Sequence, residues 1–300
     1  MNLLITGAWG CAQEQLIVLK SLGHDVVFLQ QETDMLPCDY DWVEGVVCNG
    51  LFLHHDIVKF SNLKYIQTTS AGLDRIPLDY CEQHNIIVKN ARGVYSIPMA
   101  EFVVSGVLDL YKKKKLFFEH QKEHAWIKER NLDELYGKTV VIVGCGSVGA
   151  ECAKRFKAFE CLIIGVDIFA VKSELFDKLY DISNLQTIVS KADILVLTLP
   201  LTNETKHLIN ADILSQTKKT AIIVNISRGS IVDTNALIEA LDKETIGGAV
   251  LDVFEDEPLA NDSCLWDYDN VVISPHNSFV SNKNNNRLFE LIKRNLNEIL

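Results

Sequence analysis

The stretch KTVVIVGCGSVG, residues 138–149, decides the fold. A short β-branched run leads directly into Gly144, Gly146 and Gly149, and residues 150–156 then have the pattern of a helix. The three glycines suit a tight turn, close approach of the backbone to a pyrophosphate and close packing of the helix on the strand. The N-terminus of such a helix offers free N–H groups to phosphates. The stretch predicts a dinucleotide-binding strand–turn–helix unit, and a glycine-rich turn of another α/β domain is the alternative.

A second apolar run, LIIGVD, ends in Asp167, at the distance from the glycines that such a unit requires. An acidic side chain at this position accepts hydrogen bonds from the adenosine ribose and repels a 2′-phosphate. No arginine follows closely, since the next residues are Ile168, Phe169 and Ala170. The pattern favours NAD over NADP as the cofactor.

The composition is that of a globular protein with an acidic surface. The 300 residues suffice for one large domain or two ordinary ones, and 48% of them are hydrophobic and 23% charged. The net charge of −11 argues against nucleic acid as a partner. The one basic run, at 112–115, is interpreted as the solvated end of a helix, with a phosphate or nucleic-acid patch as the alternative.

Targeting and metal-binding signals are not found in the sequence. No run approaches the roughly 18 apolar residues of a membrane span, and residues 1–10 predict a first strand rather than a signal peptide. The eight cysteines form no C-x-x-C pair and have no histidine spacing typical of zinc. We therefore expect a cytoplasmic protein with reduced cysteines, no membrane contact and no metal site.

Short apolar strands alternate with helical patterns along the whole chain, which predicts an α/β fold with parallel sheets. Five strands are predicted in the first third, at 2–6, 26–29, 45–47, 64–68 and 86–89. A helix that Ser96 can cap then leads into six further strands, at 139–143, 161–166, 194–198, 221–225, 248–250 and 271–273. The Asn-rich residues 281–286 are predicted as a loop, and residues 288–300 as a helix that returns to the first unit.

Charged residues follow three successive strands of the second unit, where ligands bind in open α/β sheets. Arg228 follows the strand at 221–225, four acids at 252–257 follow the next, and His276 follows the last. Taken singly, the arginine can form a structural ion pair, the acids a solvated loop and the histidine an exposed or structural residue. Taken together, they are the parts of a site that reduces an α-keto acid: the arginine binds it, the histidine moves a proton and a glutamate orients the imidazole.

Several stretches, in this order, resemble the D-isomer-specific 2-hydroxyacid dehydrogenase family. They are TTSAGLDRI at 68–76, NARGVYSIPMAEFVVSGVL at 90–108, VGCGSVG at 143–149, ADILVLTLPLTNETKHLIN at 192–210, NISRGSIVDTNALIEAL at 225–241, LDVFEDEP at 251–258 and SPHNS at 274–278. The resemblance covers essentially the whole chain, and the spacings and strand-end positions agree with one another.

The resemblance implies a role for each matching residue. Arg228 matches the arginine that binds the substrate carboxylate and carbonyl, His276 matches the catalytic acid/base, and Glu257 matches its paired glutamate. Ala71 and Gly72 would offer backbone N–H groups to the substrate carboxylate. The cofactor-binding positions it implies are Gly144, Gly146, Ser147, Val148, Gly149, Asp167, Leu199, Pro200, Thr205, Ile226, Ser227 and Asp252, the last near the nicotinamide carboxamide.

The resemblance also implies the architecture and the activity. A Rossmann NAD-binding domain at 97–276 would be inserted in a flavodoxin-like substrate domain formed by 1–96 and 277–300, both doubly wound parallel-sheet domains. The expected activity is hydride transfer between NAD(H) and a small D-2-hydroxy acid or 2-oxo acid, in a homodimer. An NAD(H)-sensing, non-catalytic scaffold on the same fold is the alternative. The polar pair His54 and His55, in the substrate half, is predicted to lie in a surface or loop position, with contact to the substrate as the alternative.

Overall fold

The computed structural model describes residues 1–168 and 173–299. The chain divides into two compact units: unit 1 is Met1–Tyr95 with Ser281–Leu300, and unit 2 is Ser96–Val280. Unit 2 is thus inserted in the chain of unit 1. Each unit is built on one parallel β-sheet.

The strands are short and apolar. In chain order they are β1 (Asn2–Thr6), β2 (Asp25–Leu29), β3 (Gly45–Cys48), β4 (Tyr65–Thr68), β5 (Ile87–Lys89), β6 (Thr139–Val143), β7 (Leu162–Asp167), β8 (Lys178–Asp181), β9 (Ile194–Leu197), β10 (Ile222–Asn225), β11 (Gly248–Leu251) and β12 (Val271–Ile273). The central strands β3, β4, β9, β10 and β11 are buried at every residue. Continuous burial is expected of parallel strands covered on both faces, and it explains why most of these strands are apolar runs rather than alternating patterns, although β4 includes the buried polar residues Gln67 and Thr68.

The helices in the described residues connect these strands. They are α1 (Gln13–Ser21), α2 (Leu78–Gln83), α3 (Ser96–Tyr111), α4 (Lys114–Lys122), α5 (Ser147–Ala158), α6 (Leu185–Ile188), α7 (Ala211–Ser215), α8 (Thr234–Asp242) and α9 (Asn284–Asn297). The basic run at 112–115 lies where α3 ends and α4 begins. Among the described residues, no helix has the length and apolar character needed to cross a membrane.

Both sheets are doubly wound. The sheet of unit 1 has the order β2-β1-β3-β4-β5, and that of unit 2 has the order β12-β11-β10-β9-β6-β7-β8. In unit 2 the chain runs outward from β6 to β8 and then crosses to β9 on the other side of β6. The reversal between β6 and β9 is the topological switch point where such sheets bind ligands, at the carboxyl ends of the strands. The predicted fold class, with two doubly wound parallel sheets, is confirmed.

The sheet of unit 2 has seven strands in the described residues, so the prediction of six was wrong. The missed strand is β8, at the edge of the sheet, where Val166 pairs with Tyr180. Its four residues, KLYD, are all exposed or half-buried. A short edge strand with polar residues at both ends lacks the buried apolar run by which the other strands were predicted.

Two helix ends also differ from the prediction. Helix α9 begins at Asn284, so the predicted loop at 281–286 was wrong for its last three residues, while Leu300 lies outside the described residues. Its buried stripe of Leu288, Ile292 and Leu296, spaced by four, outweighs the poor helix propensity of asparagine. Ser96 is the first residue of α3 rather than its cap, and its buried hydroxyl has no partner in the described part of the chain.

A buried histidine makes the stability of unit 1 dependent on pH. His24 is 2% exposed, and burial, together with the positive charge of the amino terminus, lowers its pKa. The unfolded chain binds a proton at His24 below about pH 6.5, whereas the folded chain binds it only at a lower pH, so acidification favours unfolding. We expect the melting temperature to fall between about pH 7.5 and about pH 5, and to fall less in His24→Gln. An equal fall in the variant would show that His24 does not cause the dependence.

Candidate active site

The glycine-rich turn lies between β6 and α5, at the switch point. Gly144 has φ +99°, and a Cβ there would lie 2.7 Å from the backbone nitrogen of Leu199. A Cβ on Gly149 would lie 2.1 Å from the carbonyl oxygen of Gly144. Both positions therefore exclude a side chain, and α5 begins directly at Ser147, with Gly146 as its N-cap. The first N–H groups of a helix have no acceptor within it, so they are available to phosphate oxygens.

Asp167, the last residue of β7, is tied to this turn. Its Oδ2 accepts a hydrogen bond of 2.6 Å from the Cys145 N–H, between the first two glycines. Burial, with the charge of Asp167 as the second cause, raises the pKa of the Cys145 thiol to about 12, so the thiol stays protonated. Turn, helix N-terminus and acid thus fit a dinucleotide. Phe169 and Ala170, which entered the argument against NADP, lie outside the described residues.

The segment after β9 closes the other side of the turn. The Thr198 hydroxyl donates to the Gly144 carbonyl at 2.6 Å. The Thr205 hydroxyl accepts from the Thr202 N–H at 2.7 Å and donates to the Pro200 carbonyl at 2.8 Å, which folds residues 200–205 on themselves. The side chain of Leu199 is 8% exposed and packs in the core. A ligand at this position can therefore contact only the backbone of Leu199.

The loop after β10 is shaped by the side chain of Asn225. Its Nδ2 donates to the Arg228 carbonyl at 2.9 Å, and its Oδ1 accepts from the Ser227 N–H and hydroxyl at 3.2 and 2.9 Å. The Ile226 side chain points into the core and is 2% exposed. A Cβ on Gly229 would lie 1.9 Å from the carbonyl carbon of Phe254, so the loop is packed closely on the segment after β11.

The guanidinium of Arg228 projects from this loop and is exposed. Within the described residues it makes one hydrogen bond, to the neighbouring Ser227 carbonyl at 2.8 Å. No carboxylate of the described residues lies within 4.0 Å of it, which removes the structural ion pair as an explanation for this arginine. Most of its five N–H donors are free to bind an anion.

His276 and Glu257 form a pair. The imidazole Nδ1 lies 2.9 Å from Oε2 of Glu257, and both side chains are about two-fifths exposed. The other carboxylate oxygen accepts from the Phe254 N–H at 3.1 Å, which fixes the carboxylate. The ring of Phe279 meets the imidazole edge to face at 6.2 Å. The Nε2 atom of His276 has no protein partner in the described ranges.

Asp252 is fully buried and organises the loop that carries His276. One carboxylate oxygen, Oδ1, accepts from the Asn277 N–H at 2.7 Å, the Ser278 N–H at 3.1 Å and the Ser274 hydroxyl. The second, Oδ2, accepts from the Ser278 N–H at 3.0 Å. A solvated loop is therefore the wrong interpretation for this acid. Several donors around one buried carboxylate stabilise its charge and hold the loop in one conformation.

The backbone of His276 is held in an unfavourable conformation. Its φ is +50°, and its N–H donates to the Asp252 carbonyl at 2.8 Å. A residue with a side chain rarely adopts this left-handed region, and such strain concentrates where a side chain must be aimed. The strain is consistent with a functional requirement on the direction of the imidazole.

A second histidine–carboxylate pair was not predicted. The His207 Nε2 lies 2.8 Å from Oε2 of Glu255, whose other oxygen accepts from the Thr234 N–H at 2.9 Å. Burial alone would raise the pKa of Glu255, but these hydrogen bonds outweigh it and lower the pKa. The pair joins the segments after β9, β10 and β11. Both residues stand in the stretches that carry the family resemblance, but spacing alone gave no signal that they meet.

In unit 1, the turn that contains Ala71 and Gly72 follows β4. Carbonyl groups in this turn are occupied: Tyr95 donates to that of Thr69, Asn90 to that of Ala71 at 2.7 Å and Ser70 to that of Gly72 at 2.9 Å. The N–H groups of Ala71 and Gly72 have no acceptor within the described part of the chain. Consecutive N–H groups in a turn are able to bind an anion where they converge.

The dinucleotide-binding turn and the histidine–carboxylate pair on one doubly wound sheet define a class, the nicotinamide-dependent oxidoreductases. The sequence model of the family described as "D-isomer specific 2-hydroxyacid dehydrogenase, NAD binding domain" matches residues 104–278. The chain belongs to the D-isomer-specific 2-hydroxyacid dehydrogenase family, as the resemblance predicted. It is an NAD-dependent enzyme that acts on 2-hydroxy acids.

Individual relatives agree with this assignment. The glyoxylate reductase of Thermofilum pendens is 37% identical over 247 residues, which cover 80% of this chain and 72% of that protein. A family protein from Aeromonas salmonicida has a similar structure, with a TM-score of 0.85, 29% identity and coverage of 99% and 94% of the two chains. The D-lactate dehydrogenase of Aquifex aeolicus, solved with NAD and lactic acid, gives a TM-score of 0.76, 26% identity and coverage of 99% and 95%.

Proposed function

We propose that this dehydrogenase reduces a small 2-oxo acid to the D-2-hydroxy acid, with Arg228 binding the carboxylate and His276 and Glu257 acting as the acid/base pair. The observation that carries the proposal is the 2.9 Å contact between Nδ1 of His276 and Oε2 of Glu257. It fixes the ring and leaves Nε2 without a protein partner among the described residues. Unit 1 then serves as the substrate domain.

The nitrogen that transfers the proton follows from this geometry. Because Glu257 accepts from the Nδ1–H, the nitrogen that exchanges a proton with the substrate is Nε2. The carboxylate also stabilises the imidazolium. Bound NADH would supply the hydride for C2 of the 2-oxo acid, and His276 would give its Nε2 proton to the carbonyl oxygen. The products are the 2-hydroxy acid, NAD⁺ and a neutral imidazole, which regains its proton from water.

Arg228 is proposed to bind the substrate rather than to act on the proton. A guanidinium donates two parallel hydrogen bonds to a carboxylate and also polarises a neighbouring carbonyl group. The free N–H groups of Ala71 and Gly72 are proposed to bind the substrate carboxylate as well. Their preorganised turn needs no rearrangement to accept an anion.

The proposed contacts to NAD use the switch point. Gly144, Gly146, Ser147, Val148 and Gly149 would hold the pyrophosphate through backbone groups, and Asp167 the adenosine ribose. The remaining proposed contacts are Leu199, Pro200, Thr205, Ile226, Ser227 and Asp252. For Asp252, whose oxygens are occupied by the loop that carries His276, positioning of that loop is the role its contacts support.

The cofactor preference can be tested at Asp167. We expect Asp167→Asn to narrow the ratio of kcat/KM for NADH over NADPH by about tenfold, because it removes the charge that repels a 2′-phosphate. The amide oxygen still accepts from the Cys145 N–H, so the turn is kept. Asp167→Ala, the matched variant, loses both the charge and this hydrogen bond, and should also raise the KM for NADH. An unchanged ratio in both variants would contradict the assigned role.

The proposed function is tested by NADH oxidation with a panel of 2-oxo acids: glyoxylate, pyruvate, hydroxypyruvate and branched 2-oxo acids, with NADPH in parallel. Glyoxylate and pyruvate come first because relatives are named glyoxylate reductase and D-lactate dehydrogenase. Turnover supports the proposal, and each chiral product is expected to be the D-isomer; glycolate, formed from glyoxylate, is achiral. Tight NADH binding with no turnover of any member of the panel would contradict it. A homodimer and a cytoplasmic location stay predictions.

A further inference from the structure

One carboxylate in unit 1 connects the carboxyl ends of three strands. Glu32 follows β2, and its Oε1 accepts from the hydroxyl of Thr6, the last residue of β1, and from the Asn49 N–H after β3, each at 2.7 Å. Its Oε2 accepts from the Gly50 N–H, also at 2.7 Å. Three short hydrogen bonds to a charged group are stronger than neutral ones, so the backbone at 49–50 is held firmly.

The main chain of Glu32 makes a second contact, with the side chain of His55. Its carbonyl oxygen lies 3.0 Å from Nε2 of His55, and Nδ1 of the same ring lies 3.1 Å from the Tyr40 hydroxyl. A carbonyl can only accept, so Nε2 carries a proton and donates to it, while Nδ1 and the Tyr40 hydroxyl share a second hydrogen bond. His55 is 8% exposed, unlike His54, which is exposed. Glu32 therefore fixes both ends of the segment 49–55, which we call the β3 loop.

The β3 loop lies beside the anion-binding turn of unit 1. Cys48 pairs with Thr68, and the Thr69 N–H donates to the Cys48 carbonyl at 2.8 Å. The loop and the turn at 69–72 thus leave adjacent strands, about 5 Å apart, at the same edge of the sheet. Within the loop Leu51 is buried, while Leu53 is 62% exposed. Leu53 is thus an exposed apolar residue on a loop that leaves the strand next to the proposed carboxylate-binding turn, and the proposal takes it as a group that contacts the rest of the bound acid.

We propose that Glu32 is a positioning residue that sets which side chains on the 2-oxo acid the enzyme accepts. It does so by holding the β3 loop against the turn that binds the carboxylate. The proposal rests on the proposed function, because it takes Ala71 and Gly72 as carboxylate ligands. Glyoxylate has no carbon beyond C2, so its binding does not depend on the loop. A 2-oxo acid with an alkyl group at C3 does depend on it.

The test compares glyoxylate with 2-oxobutyrate in Glu32→Gln. The amide has one acceptor oxygen and places an NH₂ group against an N–H of the loop, so one end of the loop is released. We expect the KM for 2-oxobutyrate to rise about fivefold relative to that for glyoxylate, with kcat for glyoxylate and NADH affinity within about twofold of the parent.

Glu44→Gln is the matched control. Glu44 accepts from the Asn2 N–H at 3.0 Å and from Lys64 at 2.8 Å, at the opposite, amino end of the same sheet. Loss of the Glu44 carboxylate should lower the melting temperature without changing the ratio of the KM for 2-oxobutyrate to that for glyoxylate. If Glu32→Gln does not fold, His55→Phe releases the other end of the loop and should shift the ratio in the same direction.

The outcomes separate the two proposals. Equal changes for glyoxylate and 2-oxobutyrate in Glu32→Gln, or the same shift of the ratio in Glu44→Gln, would show a purely structural role and overturn the proposal for Glu32. Absence of turnover of any 2-oxo acid by the unaltered protein would overturn the proposed function, and the role of Glu32 with it.

Discussion

Replacement of His276 by alanine is expected to slow 2-oxo acid reduction by about 100-fold or more. The side chain is the proposed proton donor. Its Nε2 has no protein partner in the described residues and is therefore available to the substrate. Single-turnover measurement of NADH absorbance isolates the hydride-transfer step from product release. The affinity for NADH, measured by fluorescence titration, should stay within about twofold of the parent value.

Glu257→Gln distinguishes proton transfer from general damage to the site. The amide preserves the shape and an acceptor for the Nδ1–H but removes the charge that stabilises the imidazolium. We expect a rate between those of the parent and of His276→Ala. A parent-like rate in His276→Ala would remove His276 from the proton step. A Glu257→Gln rate equal to the parent rate would reduce the pair to a structural contact.

Replacement of Arg228 by alanine is expected to lower kcat/KM for 2-oxo acids by about 1,000-fold or more, which corresponds to ~4 kcal/mol. The exposed guanidinium has no carboxylate partner in the described residues, so no structural ion pair is lost. Steady-state kinetics with the preferred 2-oxo acid measures the loss. The melting temperature and NADH affinity should change little, because the loop is held by Asn225 rather than by the guanidinium.

Arg228→Lys supplies the matched comparison. Lysine keeps the charge but cannot donate two parallel hydrogen bonds in a fixed plane. We expect a partial recovery of kcat/KM, with a KM well above that of the parent. Full activity in the lysine variant would show that charge alone binds the substrate. Full activity in the alanine variant would place substrate binding elsewhere.

Much of the fold follows from the sequence because its central strands are buried on both faces. A strand such as β10 is recognised by an unbroken β-branched run that ends at a polar residue, Asn225. The edge strand β8 has no such run, because one side of it meets solvent, and it was missed. The start of α9 was missed for a related reason, since the packing of Leu288 and Ile292 against the rest of unit 1 decides that helix more than its asparagines do.

The candidate site also has parts that the sequence predicts and parts that only the structure reveals. Arg228, Asp252 and His276 could be located from the sequence because parallel strands place their carboxyl ends at one edge of the sheet. The pairing of Glu257 with His276 was implied by the resemblance, but the backbone contacts around these residues depend on loop conformations that spacing does not determine. The positive φ of His276 and the buried carboxylate of Asp252 are the clearest cases. The pair His207 and Glu255 and the role of Glu32 likewise appear only in three dimensions.

The insertion of unit 2 in unit 1 has a consequence for biosynthesis. A chain leaves the ribosome N-terminus first, and domains generally fold as they emerge. The core of unit 1 includes Leu288, Ile292 and Leu296 of α9, and the buried Gln67 accepts from Asn295 at 2.8 Å. The first 95 residues therefore cannot complete their core until all of unit 2 and α9 have been synthesised, and part of their apolar surface stays uncovered until then. Unit 2 has every strand of its sheet by then, so it can fold before the core of unit 1 is complete.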